Sequence, residues 1–333
     1  MATSACLLAM MVGMQATATS DPGMPGPAAG SGRAAAARLN RACERCHVDV
    51  AAEWRASLHR AAYTDASFVA AHAREPAAFC RECHAPEADP RRLPSPALAR
   101  LGVGCVTCHQ PGSVVLAAPR SDRSIVTETA PHPVQRDLRF ATADACAQCH
   151  EFTFADGREL MQSTVSEHRA SAYPERPCAD CHMPSSGGRR DHTFAASRSP
   201  AMLRRALVVA TSRAGSEVTL ELGPGEIGHA FPTGDLFRRL RVTIEVIDER
   251  GTPLSRETRD LARHFDERGR LIRDDRVGAH GASVNLHVDL GPVARGRLIR
   301  WQVAHERVAF FGADGAEVEG STLIASGVLL DRP

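Results

Sequence analysis

The sequence contains no lysine; all 40 basic side chains are arginines, set against 39 acidic ones for a formal charge of +1. A balance this close to neutral gives no case for nucleic acid or an anionic membrane as partner. Aromatic residues are scarce at 5%, which implies that something other than Phe, Tyr and Trp fills the interior of part of the chain. No apolar run reaches the roughly 20 residues that a membrane helix needs. The N-terminal run at 5–14 (ACLLAMMVGM) is too short for an anchor. Followed by Ala16-Thr17-Ala18, it reads as a secretory signal peptide over 1–18, although no basic residue precedes its apolar stretch. An apolar content of 43% over 333 residues supports one large domain or two ordinary ones.

What is present changes character along the chain. Residues 19–37 (TSDPGMPGPAAGSGRAAAA) have the composition of a flexible tether. Residues 38–200 show weak periodicity with many Ala, Pro and Arg, predicting short helices and long loops. The best helix spans 43–61, with Ala51, Trp54, Leu58 and Ala61 on one face; 157–172 is the next. Beyond 200, β-branched and roughly alternating runs at 206–211, 216–222, 239–247, 283–290, 297–305 and 322–330 are separated by turn signals such as Gly223-Pro224-Gly225 and Gly291-Pro292. These predict an antiparallel β-sandwich over 201–333 and an α+β chain overall, mainly helical and loop-rich in its first part. Within it, 248–276 holds eight acidic residues and eight arginines and reads as a solvated loop with a helical piece.

The cysteines carry the chemistry. Apart from Cys6 in the leader, they form five pairs: Cys43 and Cys46, Cys80 and Cys83, Cys105 and Cys108, Cys146 and Cys149, Cys178 and Cys181. A histidine follows each pair at once: His47, His84, His109, His150 and His182. In Cys-x-x-Cys-His the two thiols bond a haem covalently and the histidine becomes an axial ligand of its iron. Disulfides or zinc would also use paired cysteines, but neither explains a histidine after all five when the chain has only 15. The expected cofactor is therefore five covalent haems c, which places the protein outside the cytoplasm, periplasmic or extracellular. Closely packed porphyrins would also be the missing apolar filling. Pro86, Pro111 and Pro184, two residues past a motif histidine, would end the short helix carrying it. Ionised propionates would take the net charge from +1 to about −4, and arginine forks suit such carboxylates.

Ten histidines remain for the sixth coordination positions. His59, His72, His132 in Pro-His-Pro, His192 and His229 are the candidates, with His168 as a competitor that has Glu167 or a propionate as other partners. Met161 and Met183 read as packing residues, and His264, His280, His287 and His305 as surface or sheet residues. A second histidine lowers the potential relative to methionine and closes the iron to substrate.

Cys43-Glu-Arg-Cys46-His47 followed by Trp54, Ser57 and His59 resembles the opening of the multihaem cytochromes that include hydroxylamine oxidoreductase and its tetrahaem electron acceptor. Gln162-Ser-Thr-Val165 leading to Cys178–Pro184, and Gly228-His229-Ala-Phe231-Pro232-Thr233-Gly234, are similar to further blocks of that group. The resemblance covers 43–245 in patches and implies bis-histidine haems, His59 as a distal ligand, and electron transfer to redox partner proteins, other multihaem cytochromes among them. A reductase of a small nitrogen or sulfur oxyanion is the alternative, requiring one open iron. The pentahaem nitrite reductases use a proximal lysine, which this chain does not have. The catalytic haem of hydroxylamine oxidoreductase is crosslinked to a tyrosine, for which only Tyr63 and Tyr173 are available. A third expectation is a stacked haem wire, in which a neighbour's histidine completes a terminal haem.

Overall fold

The computed structural model describes residues 35–331 apart from 120–131, 155–157, 187, 235, 267, 279–280 and 313–314. The expected signal peptide and most of the expected tether lie outside the described residues, as does His280. The first half runs through α1 (Ala36–Cys46), α2 (Val48–Arg55), α3 (Leu58–Ala61), α4 (Ala66–Arg74), α5 (Cys80–His84), α6 (Pro96–Leu101) and α7 (Cys105–His109). Strands β1 (Val115–Ala117) and β2 (Val134–Arg136) pair in parallel, and α8 (Asp144–His150) leads into the hairpin of β3 (Glu151–Thr153) and β4 (Leu160–Ser163). Then come α9 (Thr164–Arg169), α10 (Ala179–His182), the two-residue strands β5 (Ser185–Ser186) and β6 (Arg189–Arg190), and α11 (Pro200–Arg205).

The helix expected over 43–61 is three pieces. It breaks at His47 and again at Ser57, whose hydroxyl accepts the Arg60 N–H at 3.2 Å and starts α3 afresh. The helix expected over 157–172 is only α9. Residues 160–163 pair with β3, burying Met161 and Gln162, so tertiary burial overrides local preference.

The second half is strand-rich: β7 (Leu207–Ala214), β8 (Glu217–Pro224), β9 (Arg238–Ile247), β10 (Pro253–Leu261), β11 (Arg263–Phe265), β12 (Leu271–Asp274), β13 (Val284–Asp289), β14 (Leu298–Gly312) and β15 (Gly315–Leu329). A four-stranded antiparallel sheet has the order β10-β9-β14-β15 and a three-stranded one β13-β8-β7. Alternation along each strand fixes the shared core: Val218, Leu220 and Leu222 of one sheet join Leu240, Val242, Ile244, Ile299 and Val303 of the other in a single buried cluster. The expected loop at 248–276 is instead β10, β11 and β12. Its charges sit opposite partners across the sheet, Arg256 on Glu245 at 2.6 Å and Asp260 on Arg241 at 2.8 Å, so a charged stretch becomes a strand. Among the described residues no helix is long and apolar enough to cross a membrane.

Candidate functional site

Each Cys-x-x-Cys-His motif lies on a helical turn, where residues i, i+3 and i+4 share a face. Cys43 and Cys46 close α1 with His47 as its C-cap; α5 and α7 are each one motif long; α8 ends on His150 and α10 on His182. None of the ten motif cysteines is in a disulfide, and Cys46 and Cys181 are exposed.

The structure sets a second histidine opposite four of the five motif histidines, at nearly one spacing. Ring centroids are 6.3 Å apart for His47 and His132, 6.2 Å for His150 and His59, 6.3 Å for His109 and His192, and 6.2 Å for His182 and His229. Two imidazoles bound to one metal at roughly 2.0–2.1 Å through facing nitrogens have ring centres about 6 Å apart. The interplanar angles run from 12° to 68°, which that geometry permits because each ring can turn about its own metal–nitrogen bond.

Hydrogen bonds select the right tautomer for such a role. Nδ1–H donates to a backbone carbonyl in His84 (Ala62, 2.6 Å), His109 (Leu116, 2.8 Å) and His182 (Ala195, 2.8 Å). The same holds for His192 (Arg190, 2.9 Å) and His229 (Ala230, 3.0 Å). A carbonyl only accepts, so the proton stays on Nδ1 and the Nε2 lone pair is left for a metal. The Gln162 amide meets His150 Nδ1 at 3.1 Å. Burial first, then neighbouring histidines, holds His59 at about 3 and His150 at about 4. Burial likewise holds His229 at about 4 and lowers His109 and His192, which favours the neutral ring that ligation requires.

His72 is placed differently. Its Nε2 accepts from Arg81 Nη1 at 3.4 Å, and Phe68 of α4 stacks on both His72 (5.2 Å, 23°) and His84 (3.9 Å, 13°). His168 is buried with Nδ1 against Gly228 O at 2.9 Å and Nε2 against Arg176 O at 2.8 Å, so both ring nitrogens already face backbone carbonyls.

The second members of the pairs are held by contacts that no motif announces. Trp54 Nε1 donates to Val103 O at 2.8 Å, and Val103 N–H donates to His59 O at 2.8 Å. Gly102, at φ +56°, packs against the same carbonyl, where a Cβ would collide. Phe194 adopts φ +51°, strained for a non-glycine residue, and lies 4.2 Å from His59 and 5.8 Å from His192. Glu53 accepts the His192 backbone N–H at 3.0 Å. The His229 loop is clamped by Glu167, which accepts from Thr233 Oγ1 at 2.7 Å and from Ala230 N at 3.3 Å, and by Arg276, which pairs with Glu167 at 2.7 Å and donates to Pro232 O at 3.1 Å.

The thiols show the order of the motifs in space. The Cys83 side chain lies beside Cys149, and Cys146 beside Cys178, close enough for each to act on the other. Cys43 is close enough to help raise the Cys105 thiol, which burial pushes up to about 12, and Cys108 acts on both Cys146 and Cys149. The first motif thus neighbours the third, and the fourth neighbours the second, third and fifth.

Thiol pairs on helical turns, each closed by a histidine whose ring, in four of the five, faces another imidazole, define a protein built to hold several metal macrocycles. Comparison supports the class of multihaem c-type cytochromes with covalent haem c and a function in haem electron transfer. The cytochrome c554 and c-prime family matches residues 42–110, the first three motifs. A penta-heme cytochrome c552 from Thermochromatium tepidum shares the fold, with a TM-score of 0.67 at 20% identity over 87% of this chain and 98% of that one. No curated protein matches the sequence.

Proposed function

We propose that the protein carries electrons between redox partners outside the cytoplasm, through five haems c bound at Cys43/Cys46, Cys80/Cys83, Cys105/Cys108, Cys146/Cys149 and Cys178/Cys181. His47, His84, His109, His150 and His182 are the proximal ligands. His132, His192, His59 and His229 are the distal ligands of the first, third, fourth and fifth. The observation that carries this reading is the common 6.2–6.3 Å spacing of the four histidine pairs. Each haem, when bound, supplies one reversible electron at its iron. The chain's part is to fix imidazole tautomers through backbone carbonyls, exclude water around His59, His150 and His229, and hold the motifs in contact with the fourth at the centre. The two sheets read as a β-sandwich that lends His229 to the fifth haem, and the leader at 1–18 supports export. The resemblance to the hydroxylamine oxidoreductase group, and redox partners that are themselves multihaem cytochromes, belong to the same reading.

A second reading has one observation in its favour. His72 gives its Nε2 to Arg81, and a haem on His84 without His72 would have an open face, suiting a reductase of a small nitrogen or sulfur oxyanion. Electron paramagnetic resonance of the oxidised holoprotein, with haem counted by pyridine haemochrome, tests both. Five low-spin haems establish the carrier with His72 as the fifth distal ligand, and a high-spin fraction of about one in five favours the reductase. Fewer than four low-spin haems would overturn the assignment of the four pairs.

A further inference from the structure

The inner face of β9 and β14 is apolar for most of its length. Ile299 faces Val246, Trp301 faces Ile244 and Val303 faces Val242, all in the core. The alternation then continues but its chemistry changes: His305 faces Leu240 and Arg307 faces Arg238. This end of the sheet meets the haem-motif region. Helix α4 packs on β14, and Phe231 of the His229 loop stacks on His305 at 5.9 Å and 21°. Arg198, paired with Asp65 at the start of α4, acts on Arg307, and Arg238 acts on His150.

An arginine directly opposite an arginine is a repulsive cross-strand pair. Asp65 and Glu319 act on Arg307 in the opposite sense. The patch also holds two buried nitrogens without a hydrogen-bond partner among the described residues, Nδ1 of His305 and Nε of Arg307. His305 is only 1% exposed. Buried polar atoms left without partners are costly, so these unmet nitrogens, with Arg238 opposite Arg307, mark a place built for an anionic oxygen group.

We infer that Arg307, Arg238 and His305 form the seat of a haem propionate, the carboxylate of the haem attached through Cys146 and Cys149. A guanidinium fork matches a carboxylate in plane and in charge. His305 is buried while Arg307 and Arg238 are half-buried, so the seat opens on one side; a carboxylate tethered to the chain is held there at high local concentration, which favours it over a diffusible one. The β-rich half then holds the central haem by charge as well as the fifth haem by His229. This rests on the multihaem reading above.

The test uses holoprotein whose haems carry ¹³C at the propionate carboxyl carbons, in native, Arg307→Gln and Arg307→Lys forms, with haem counted in each. Redox-difference infrared spectra and potentiometric titrations at several pH values are recorded. One labelled carboxylate band should move in Arg307→Gln, and one of the five potentials should fall and become pH-dependent; Arg307→Lys should restore most of both. With five haems counted, labelled bands and potentials unmoved in Arg307→Gln would overturn the inference while leaving the multihaem reading intact. If Arg307→Gln does not fold, native protein still decides: a potential that depends on added inorganic phosphate would assign the patch to a diffusible oxyanion and overturn the propionate.

Discussion

The two halves of this chain are stabilised by different means. In the β-rich half, twenty buried apolar residues from both sheets and their flanking segments make one cluster. In the motif-bearing half the corresponding cluster is Ala36, Trp54, Leu101 and Val106. Among the described residues, the other buried apolar side chains of this half, such as Leu116, Met161 and Val165, lie outside that cluster. So small a core cannot by itself hold this many short helices together, since burial of apolar area is the main favourable term in folding. The first half is therefore conditional on its haems, and the second is not. The largest expected effect follows from this contrast. A full-length chain made without haem attachment should lose amide hydrogen-exchange protection across α1–α10 while β7–β9 and β13–β15 keep theirs. Equal protection of both halves would show that the contrast is wrong.

The complementary experiment weakens the other half. Leu220 is completely buried between the sheets, and Leu220→Ala should cost about 2–5 kcal/mol there. In urea titrations of holoprotein, the far-ultraviolet β signal should be lost earlier while the spectra of the first four haems hold. Simultaneous loss of both signals would make the two halves one cooperative unit.

The junction between the halves is sharper still. His229 reaches from the β-rich half to His182, so His229→Ala should turn one haem in five high spin in paramagnetic resonance and leave the rest low spin. His168→Gln, at a histidine whose two nitrogens already face backbone carbonyls, should leave all five low spin. The opposite outcome for the pair would exchange their roles.

The motif cysteines and their histidines were legible in the sequence because covalent attachment demands a fixed local spacing. The imidazoles that face them obey no such spacing, so His59, His132, His192 and His229 stood out only as candidates while the ring each one faces could not be read; His47 faces His132, far along the chain. His72 looked equivalent to the others, but the Arg81 guanidinium that occupies its Nε2 is visible only in three dimensions. The strands at 253–274 were hidden by their charge. A run of alternating Arg, Asp and Glu has the composition of a solvated loop, and only cross-strand neighbours such as Glu245 make it a sheet edge. The Glu167–Arg276 clamp on the His229 loop brings together residues distant in sequence, and His305, expected in a sheet or at the surface, is buried because its face of β14 turns toward the other half.

The smallest effect concerns the surface end of this design. Glu53, on α2, accepts from Arg189 at 2.6 Å and from the His192 backbone at 3.0 Å. The Arg189 hydrogen bond first, and the His192 N–H second, lower its carboxyl from an ordinary 4.5 to about 2. A depressed carboxylate stabilises the fold fully above its unfolded value and loses that contribution as pH falls through the folded one. The support for His192 should therefore weaken between about pH 4.5 and 2. The effect is small because the pair lies at the surface, where solvent screens it. In absorbance titrations the native holoprotein should lose part of one low-spin signal over that window. Glu53→Gln should show a slightly lower low-spin fraction at neutral pH and no further step of its own on acidification. Superimposable acid profiles for the two proteins would mean that His192 is held by Arg190 and Phe194 alone.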